Sequence, residues 1–538
     1  MATCAVAASV SSMIEDLLST YRTTILFNNS TNGLFEQIIT LHDDDAECSA
    51  GCRQYLQQQG TDSPEPSWDR LRSFIYGLYG DMIKTDPYAP QEIKLALTDE
   101  ISEMKVMWLT ASQLENPIVE YKLDEKDGGG DEFTTITATV YTYTVPQNWW
   151  PTFNGFIYEV NMNNLQPNAG YIYRVGGFDG ENNTMQYSDY YSFNSPRETN
   201  DPDQGFSIGL LADHGTFMLL GFMVADRLAA LQDERKIDVV HVVGDIAYAG
   251  LSTNFPSLNF TKEDEFERVW DLYGVQMQRT AATRPFMVTN GNHERFYDWA
   301  AYKNRFHMPY QKSGGSPSGF WYSYDYANMH FVSISSEHPL DVDSEQYKWL
   351  ENDLKNAQSN RNFVPWIILG IHKPLYCSDK GTPGGFRELL EPLMIEMDVD
   401  LLVAGHMHAY ERIHPVKNYQ VTVYPEANED DTDMYYSKGH GPVYVVQGNT
   451  GAMQFENWNQ PQPAWSAIRY ANGYIPRNIT KPHERDEAEA NQGLLSSNYT
   501  DTFGFGVASG VNSTHLRYEM VPVTGEVGRD VFWIVKER

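Results

Sequence analysis

The stretch Asp238–Gly250, DVVHVVGDIAYAG, decides how the rest of the chain is read. Val239 to Val243 is almost uniformly apolar and carries no period-two alternation, the signature of a strand buried on both faces. Such a strand belongs to a parallel sheet covered by helices. It closes on Gly244 and Asp245, a carboxylate at the end of a buried strand, and Tyr248 follows three residues later. The tyrosine is either an aromatic closing the top of a core or a ligand for a metal ion.

Working outward, the same design recurs. FSIGLLAD (206–213), PFMVTNGN (285–292), HFVSISS (330–336), PWIILGIH (365–372), DLLVAGH (400–406) and PVYVVQGN (442–449) are all strand-sized apolar runs. Helical stretches lie between them. Phe217, Leu220, Val224, Leu228 and Leu231 form one apolar face, as do Tyr347, Leu350 and Leu354. Strands apolar throughout and alternating with helices predict an α/β domain covered on both faces. Upstream the pattern is different. Seven short alternating runs between Glu92 and Ser195 predict an all-β sandwich, and LQPNAGY (165–171) fits a tyrosine corner built on Tyr171. Ser195–Gly205 reads as a linker. The expected division is therefore an extension of unknown role over 1–89, a β-sandwich over 90–198 and a catalytic α/β domain over 199–538.

The totals exclude several classes of function. A formal net charge of -33 over 538 residues argues against binding nucleic acid or an anionic membrane face. It suits a protein that works in acid. No apolar run is long enough for a membrane span. The N-terminus lacks a basic region and is a poor signal peptide, yet sequons at Asn28, Asn29, Asn182, Asn259, Asn478, Asn498 and Asn512 favour a glycoprotein on a secretory route, secreted or vacuolar/lysosomal. Of four cysteines, Cys48 and Cys52 are close enough in sequence to pair, and Cys377 is expected to be free.

Five of the strands end in residues of metal-ligand type: Asp213; Asp245; Asn292 with His293; His372; and His406 with His408. In open α/β sheets ligands bind at the carboxyl ends of strands, so positions about two hundred residues apart would converge on one rim. Carboxylate oxygens can bridge two cations and neutral imidazole suits first-row metals, so the set suits a metal pair. Glycines before most of these residues would let the backbone turn and approach an anion.

The order D-x-G, G-D-x-x-Y, G-N-H-E, H and G-H-x-H resembles metallophosphoesterases of the purple acid phosphatase family. The resemblance implies a fibronectin type III-like N-terminal sandwich followed by an α/β/β/α metallophosphoesterase sandwich. It also bears on Tyr248. General metallophosphoesterases carry D-x-H at the first motif, whereas this chain has Gly215 there and His214 one residue too early. Tyr248 stands where the purple enzymes supply the replacement, as a hard phenolate suited to trivalent iron. The resemblance thus implies Fe(III) on Asp213, Tyr248 and His408, a divalent metal (Zn, Fe or Mn) on Asn292, His372 and His406, and Asp245 bridging both.

By the same resemblance, a metal-activated hydroxide attacks the phosphorus of a phosphate monoester in acid. Asn292 and His293 contact the phosphoryl group, and His293 leads as proton donor. The chain departs from well-known plant members after His372, reading HKPLYCSDK with no histidine before His406. Tyr376 is taken as a further substrate-binding residue, with Lys373 a weaker candidate, and Glu294 and Arg412 as supports that orient histidines. The alternative on the same metal site is a phosphodiesterase or nucleotide pyrophosphatase. Small phosphorylated substrates are the expected partners, and the oligomeric state is open, a homodimer included.

Overall fold

A computed structural model describes residues 86–536 apart from 145–154, 217–218, 250–265, 381–384, 431, 437, 453–457, 460, 472–473, 476–493, 496–501 and 524–529. Residues 1–85, Cys48, Cys52 and the sequons at Asn28, Asn29, Asn259, Asn478 and Asn498 lie outside the described residues.

The first described unit is a two-sheet sandwich. One sheet orders Gln91–Ala96, Met104–Thr110, Phe156–Met162 and Thr139–Tyr141; the other orders Thr134–Thr137, Leu114–Leu123, Gly170–Asp179 and Thr184–Tyr187, with Tyr191–Asn194 also paired to Gly170–Asp179. Alternation along Gly170–Asp179 explains its place, since Tyr171, Tyr173 and Val175 point into the core. The tyrosine corner forms: the Tyr171 hydroxyl accepts from the Gln166 amide at 2.8 Å. The run TTITATVYTYT divides instead of making one strand. At Ala138, whose amide donates to Pro117, the chain leaves one sheet and enters the other. Its period-two pattern is unbroken, so nothing local marks the switch.

The second unit is built on two facing sheets. In one, Phe286–Thr289, Val239–Val243 and Phe206–Leu211 run parallel, and Gly504–Gly510, His515–Pro522 and Asp530–Val535 continue it antiparallel towards Asp433–Tyr436 and Glu426–Ala427. In the other, Met329–Ile334, Trp366–Ile371, Leu401–Ala404 and Val443–Gln447 run parallel, flanked by Tyr322–Tyr326 on one side and by Tyr410–Ile413 and Ser466–Tyr470 on the other. The strand Trp366–Ile371 shows why both faces are apolar. Trp366 and Ile368 enter the core shared with the first sheet, whereas Ile367, Leu369 and Ile371 enter a second core beneath the helices Glu345–Ser359 and Arg387–Glu396. The helices Leu219–Leu231 and Phe266–Ala281 pack together, and their apolar side chains join the core around the first sheet. The result is an α/β/β/α sandwich, with the parallel strands of both sheets ending at one rim.

The units meet across a buried joint. Arg305, at the end of the helical segment Phe296–Arg305, bonds Glu92 of the sandwich at 3.1 Å, Glu267 at 3.0 Å and Asp271 at 2.6 Å. The Tyr173 hydroxyl donates to the Ala282 carbonyl at 2.7 Å.

Candidate metal centre

Every ligand-type residue sits just past the carboxyl end of its strand. Asp213 follows Phe206–Leu211 and Asp245 follows Val239–Val243; Asn292 and His293 follow Phe286–Thr289; His372 follows Trp366–Ile371; His406 and His408 follow Leu401–Ala404. The turns that aim these side chains are strained. Asp213, Asp245, Tyr248 and His406 all have positive φ, between 50° and 69°. Non-glycine residues held there cost on the order of 1–3 kcal/mol each, and such strain collects at functional sites.

The glycines before the ligands let the chain turn, as Gly244 does at φ 80°, and they also make room. A Cβ on Gly244 would stand 2.4 Å from His372 Nδ1, one on Gly291 2.3 Å from Asp245 Oδ1, and one on Gly405 2.4 Å from Asp213 Oδ2. Each glycine leaves room for a neighbouring ligand-type side chain.

The side chains fall into two adjoining groups. In the first, the Tyr248 hydroxyl lies 2.8 Å from Asp213 Oδ1 and 2.6 Å from His408 Nε2, which is itself 3.5 Å from Asp213 Oδ1. In the second, His372 Nε2 lies 3.2 Å from Asn292 Oδ1 and 3.2 Å from Asp245 Oδ2. Donor atoms of Asp245, His372 and His406 all lie within 4.8 Å of one another. The groups are tied together, because the His406 amide donates to Asp213 Oδ2 at 2.6 Å. His293 spans them: its amide donates to Asp245 Oδ1 at 2.9 Å and its ring rests 4.5 Å from that of Tyr248.

The surroundings fix these groups before anything binds. His372 Nδ1 donates to the Val243 carbonyl at 3.1 Å, which leaves Nε2 facing the cluster. Glu294 brackets the Asp245 turn, accepting from the amides of Asp245 at 2.9 Å, Ile246 at 2.8 Å and Gly291 at 2.8 Å. It supports the backbone beneath the ligands and orients no histidine. His214, one residue from the first motif's vacancy, donates through Nε2 to the Gly221 carbonyl at 2.7 Å and meets the Tyr273 hydroxyl through Nδ1. Burial lowers its pKa to about 4, so it is a neutral clamp on a helix.

Electrostatics test whether a cation fits. Burial alone would raise Asp245, but His372 and His293 hold its carboxyl well below the usual range. Burial works against a charge on His372, yet Asp245 outweighs it and lifts the imidazole to about 10. Burial, then Asp213 and Asp245, push the Tyr248 phenol far above its ordinary value, so phenolate there requires a strong cation beside it. The cluster thus recruits protons in place of positive charge. Hard oxygens and imidazole nitrogens, crowded at hydrogen-bond distance, fit a pair of first-row metal ions. His293 Nδ1 is buried without a hydrogen-bond partner, a donor available to a phosphoryl oxygen.

Two expected residues lie elsewhere. The Tyr376 hydroxyl donates to Glu391, and its ring packs against Tyr419, Tyr444 and Trp465 in the second core. The structure does not bring it to the cluster. Arg412 is buried in an ion group with Asp433 at 2.7 Å and Asp530 at 2.9 Å and orients no ligand-type histidine. The resemblance of HKPLY to related sequences suggests Tyr376, but past the strand end at Ile371 the chain turns and carries this side chain into the second core. Sequence reasoning also missed Glu337, which pairs with Lys373 on the rim and whose acidic side chain sits in no motif.

A two-sheet α/β/β/α sandwich with paired carboxylate and imidazole groups at its strand ends defines a metal-dependent phosphoesterase. Comparison with known proteins narrows the class. Residues 90–195 match the purple acid phosphatase N-terminal domain, and residues 206–410 match the calcineurin-like phosphoesterase family. An acid phosphatase type 7 of Mus musculus is 32% identical over 355 residues, covering 60% of this chain and 71% of the relative. An Arabidopsis thaliana relative, named Fe(3+)-Zn(2+) purple acid phosphatase 12, is 27% identical over 407 residues, covering 72% of this chain and 77% of its own. The structure of a purple acid phosphatase from yellow lupin (Lupinus luteus) seeds shares the fold, with a TM-score of 0.65 at 23% identity over 84% of this chain and 75% of that one. The chain belongs to the purple acid phosphatase family and is a hydrolase.

Proposed function

We propose that this acid phosphatase hydrolyses phosphate monoesters at a dinuclear centre, with Asp213, Tyr248 and His408 holding Fe(III), Asn292, His372 and His406 holding a divalent ion, and Asp245 bridging. The observation that carries this reading is the convergence of seven donor side chains from five strand ends, partitioned by distance into two groups of suitable chemistry. Bound there, the metal pair supplies charge for the phosphate oxygens and lowers the pKa of a water, which lets hydrolysis proceed in acid.

The chain's own residues do the rest. Asn292 and the orphaned nitrogen of His293 orient the phosphoryl group, and His293 gives a proton to the departing oxygen. Glu294 and the glycine contacts hold the donors in place at no cost in reorganisation. Residues 90–198 and 199–538 form the β and catalytic domains.

A secreted or vacuolar location accords with the sequons, of which Asn182 is exposed on a turn. No helix among the described residues is long and apolar enough to cross a membrane. With its acidic charge the protein is expected to leave nucleic acid unbound.

The test is metal analysis with a visible spectrum of the purified protein. Iron and a broad tyrosinate-to-iron band are expected, and Tyr248→Phe should remove the band. An active, colourless and iron-free protein would overturn the assignment of Tyr248. Comparing rates on p-nitrophenyl phosphate and its bis-ester separates monoesterase from diesterase.

A further inference from the structure

Lys373 follows the ligand-type residue His372, and its strand neighbour explains what it meets. Met329–Ile334 pairs in parallel with Trp366–Ile371, with Ile334 opposite Ile371, so Ser335, Ser336 and Glu337 leave the sheet beside His372 and Lys373. Lys373 Nζ lies 2.8 Å from Glu337 Oε1 and 3.0 Å from Oε2. Ser336 Oγ accepts from the Lys373 amide at 3.2 Å and donates to Glu337 at 2.9 Å. The Glu337 side chain is only 8% exposed and that of Lys373 22%.

Such a pair is an expensive way to gain stability. Withdrawing both charges from water costs roughly what their attraction returns, and apolar residues of equal size often serve as well. Next in the chain to the ligand-type His372, the same pair has a use. Glu337 neutralises the ammonium and fixes its position while substrate is absent. Lysine is a compact point charge with three donors, suited to a phosphate oxygen.

We propose that Lys373, held by Glu337, is a specificity-determining residue that contacts a non-reacting phosphate oxygen and favours dianionic monoesters over monoanionic diesters. The proposal rests on the dinuclear reading above. A monoester dianion carries one more negative charge than a diester, and a fixed cation favours it accordingly. Contacts to oxygens that do not react are made equally in the ground and transition states, so they act mainly on KM.

The experiment uses the metal-loaded full-length chain with p-nitrophenyl phosphate and its bis-ester. Lys373→Met should raise KM for the monoester by about tenfold to a hundredfold, the weight of one charge-assisted hydrogen bond, with kcat and the diester little changed. Lys373→Arg should restore most of the preference. Glu337→Gln keeps the cation but loosens its hold, and should weaken the monoester preference less than Lys373→Met does. In parallel, the rise in melting temperature caused by inorganic phosphate should shrink in Lys373→Met and persist in Glu337→Gln. A monoester-to-diester ratio unchanged within about twofold in Lys373→Met would overturn the proposal. So would equal losses in Lys373→Met and Glu337→Gln, which would mark the pair as structural. Normal metal content in these variants keeps the dinuclear reading separate, because that reading fails only if the metals themselves are lost or absent.

Discussion

Two of the buried charge clusters among the described residues differ in the kind of partner each carboxylate meets. At the joint between the sandwich and the catalytic unit, Arg305 is matched by Glu92, Glu267 and Asp271 and by the Tyr143 hydroxyl. Burial alone would lower the Arg305 pKa, but Tyr143 and the three carboxylates outweigh it and hold the guanidinium firmly charged. At the rim, Asp213 and Asp245 are buried among histidines, a phenol and an amide, and the partners they meet among the described residues are of metal-ligand type. A buried charge matched by a guanidinium reads as structure, and carboxylates crowded together with imidazole and phenol donors read as a metal-binding site.

Removing the Asp245 carboxylate, the proposed bridge, should have the largest effect. Asp245→Asn should lower phosphatase activity by more than about a hundredfold, the scale seen when groups merely supporting a metal ligand are lost. Elemental analysis of the variant should show depleted metal while circular dichroism stays that of the folded chain. Retained metal and retained activity would show that Asp245 holds no metal.

The complementary change leaves the rim alone. Arg305→Met strands Glu92 and Glu267, both nearly fully buried, and should destabilise the fold by about 3–5 kcal/mol. Thermal unfolding would read this, and the metal-to-protein ratio should be unchanged. A loss of metal without a loss of stability would mean that the joint belongs to the site.

The joint also carries a pH-dependent contact. Glu159 of the sandwich pairs with Lys105 at 2.6 Å and with His307. Burial would raise its pKa, but His307 and Lys105 outweigh it and hold it at about 2 against an ordinary 4.5. A depressed carboxylate contributes stability above its unfolded pKa and loses it as pH falls through the folded one. The advantage of the parent chain over Glu159→Gln should therefore be full above about pH 4.5, on the order of 1–3 kcal/mol, and vanish towards pH 2. Melting temperatures across that range check it. A constant difference down to pH 2 would show that Glu159 is not held as the anion.

Much of this was legible in the sequence because the strands are long, apolar and punctuated. Val239–Val243 and Trp366–Ile371 need both faces buried, and each ends on a polar residue that no core would accept unpaired. What stayed hidden depends on contacts between distant segments. The Arg305 cluster joins residues up to 213 positions apart. The sheet change at Ala138 interrupts a strand whose alternation never falters. The glycines at 244, 291 and 405 were visible, but which side chain fills the space beside each is fixed only by tertiary packing.

Tyr376 offers the smallest effect and the sharpest boundary for the site. Four residues after His372, it is a natural guess for a phosphate contact, yet its side chain faces the second core. Glu391, its acceptor, also receives the Asn418 amide at 2.9 Å and has Arg387 at 3.8 Å, so losing one donor leaves it partnered. Tyr376→Phe keeps the ring packing against Tyr444 and Trp465 and should cost only about 0.5–1.5 kcal/mol in thermal unfolding. Steady-state kinetics should show kcat and KM within about twofold of the parent, since a hydrogen bond buried in another layer has no differential contact with the transition state. A tenfold rise in KM would instead extend the phosphate site into the second core, and the boundary between the machinery at the rim and the packing beneath it would have to be redrawn.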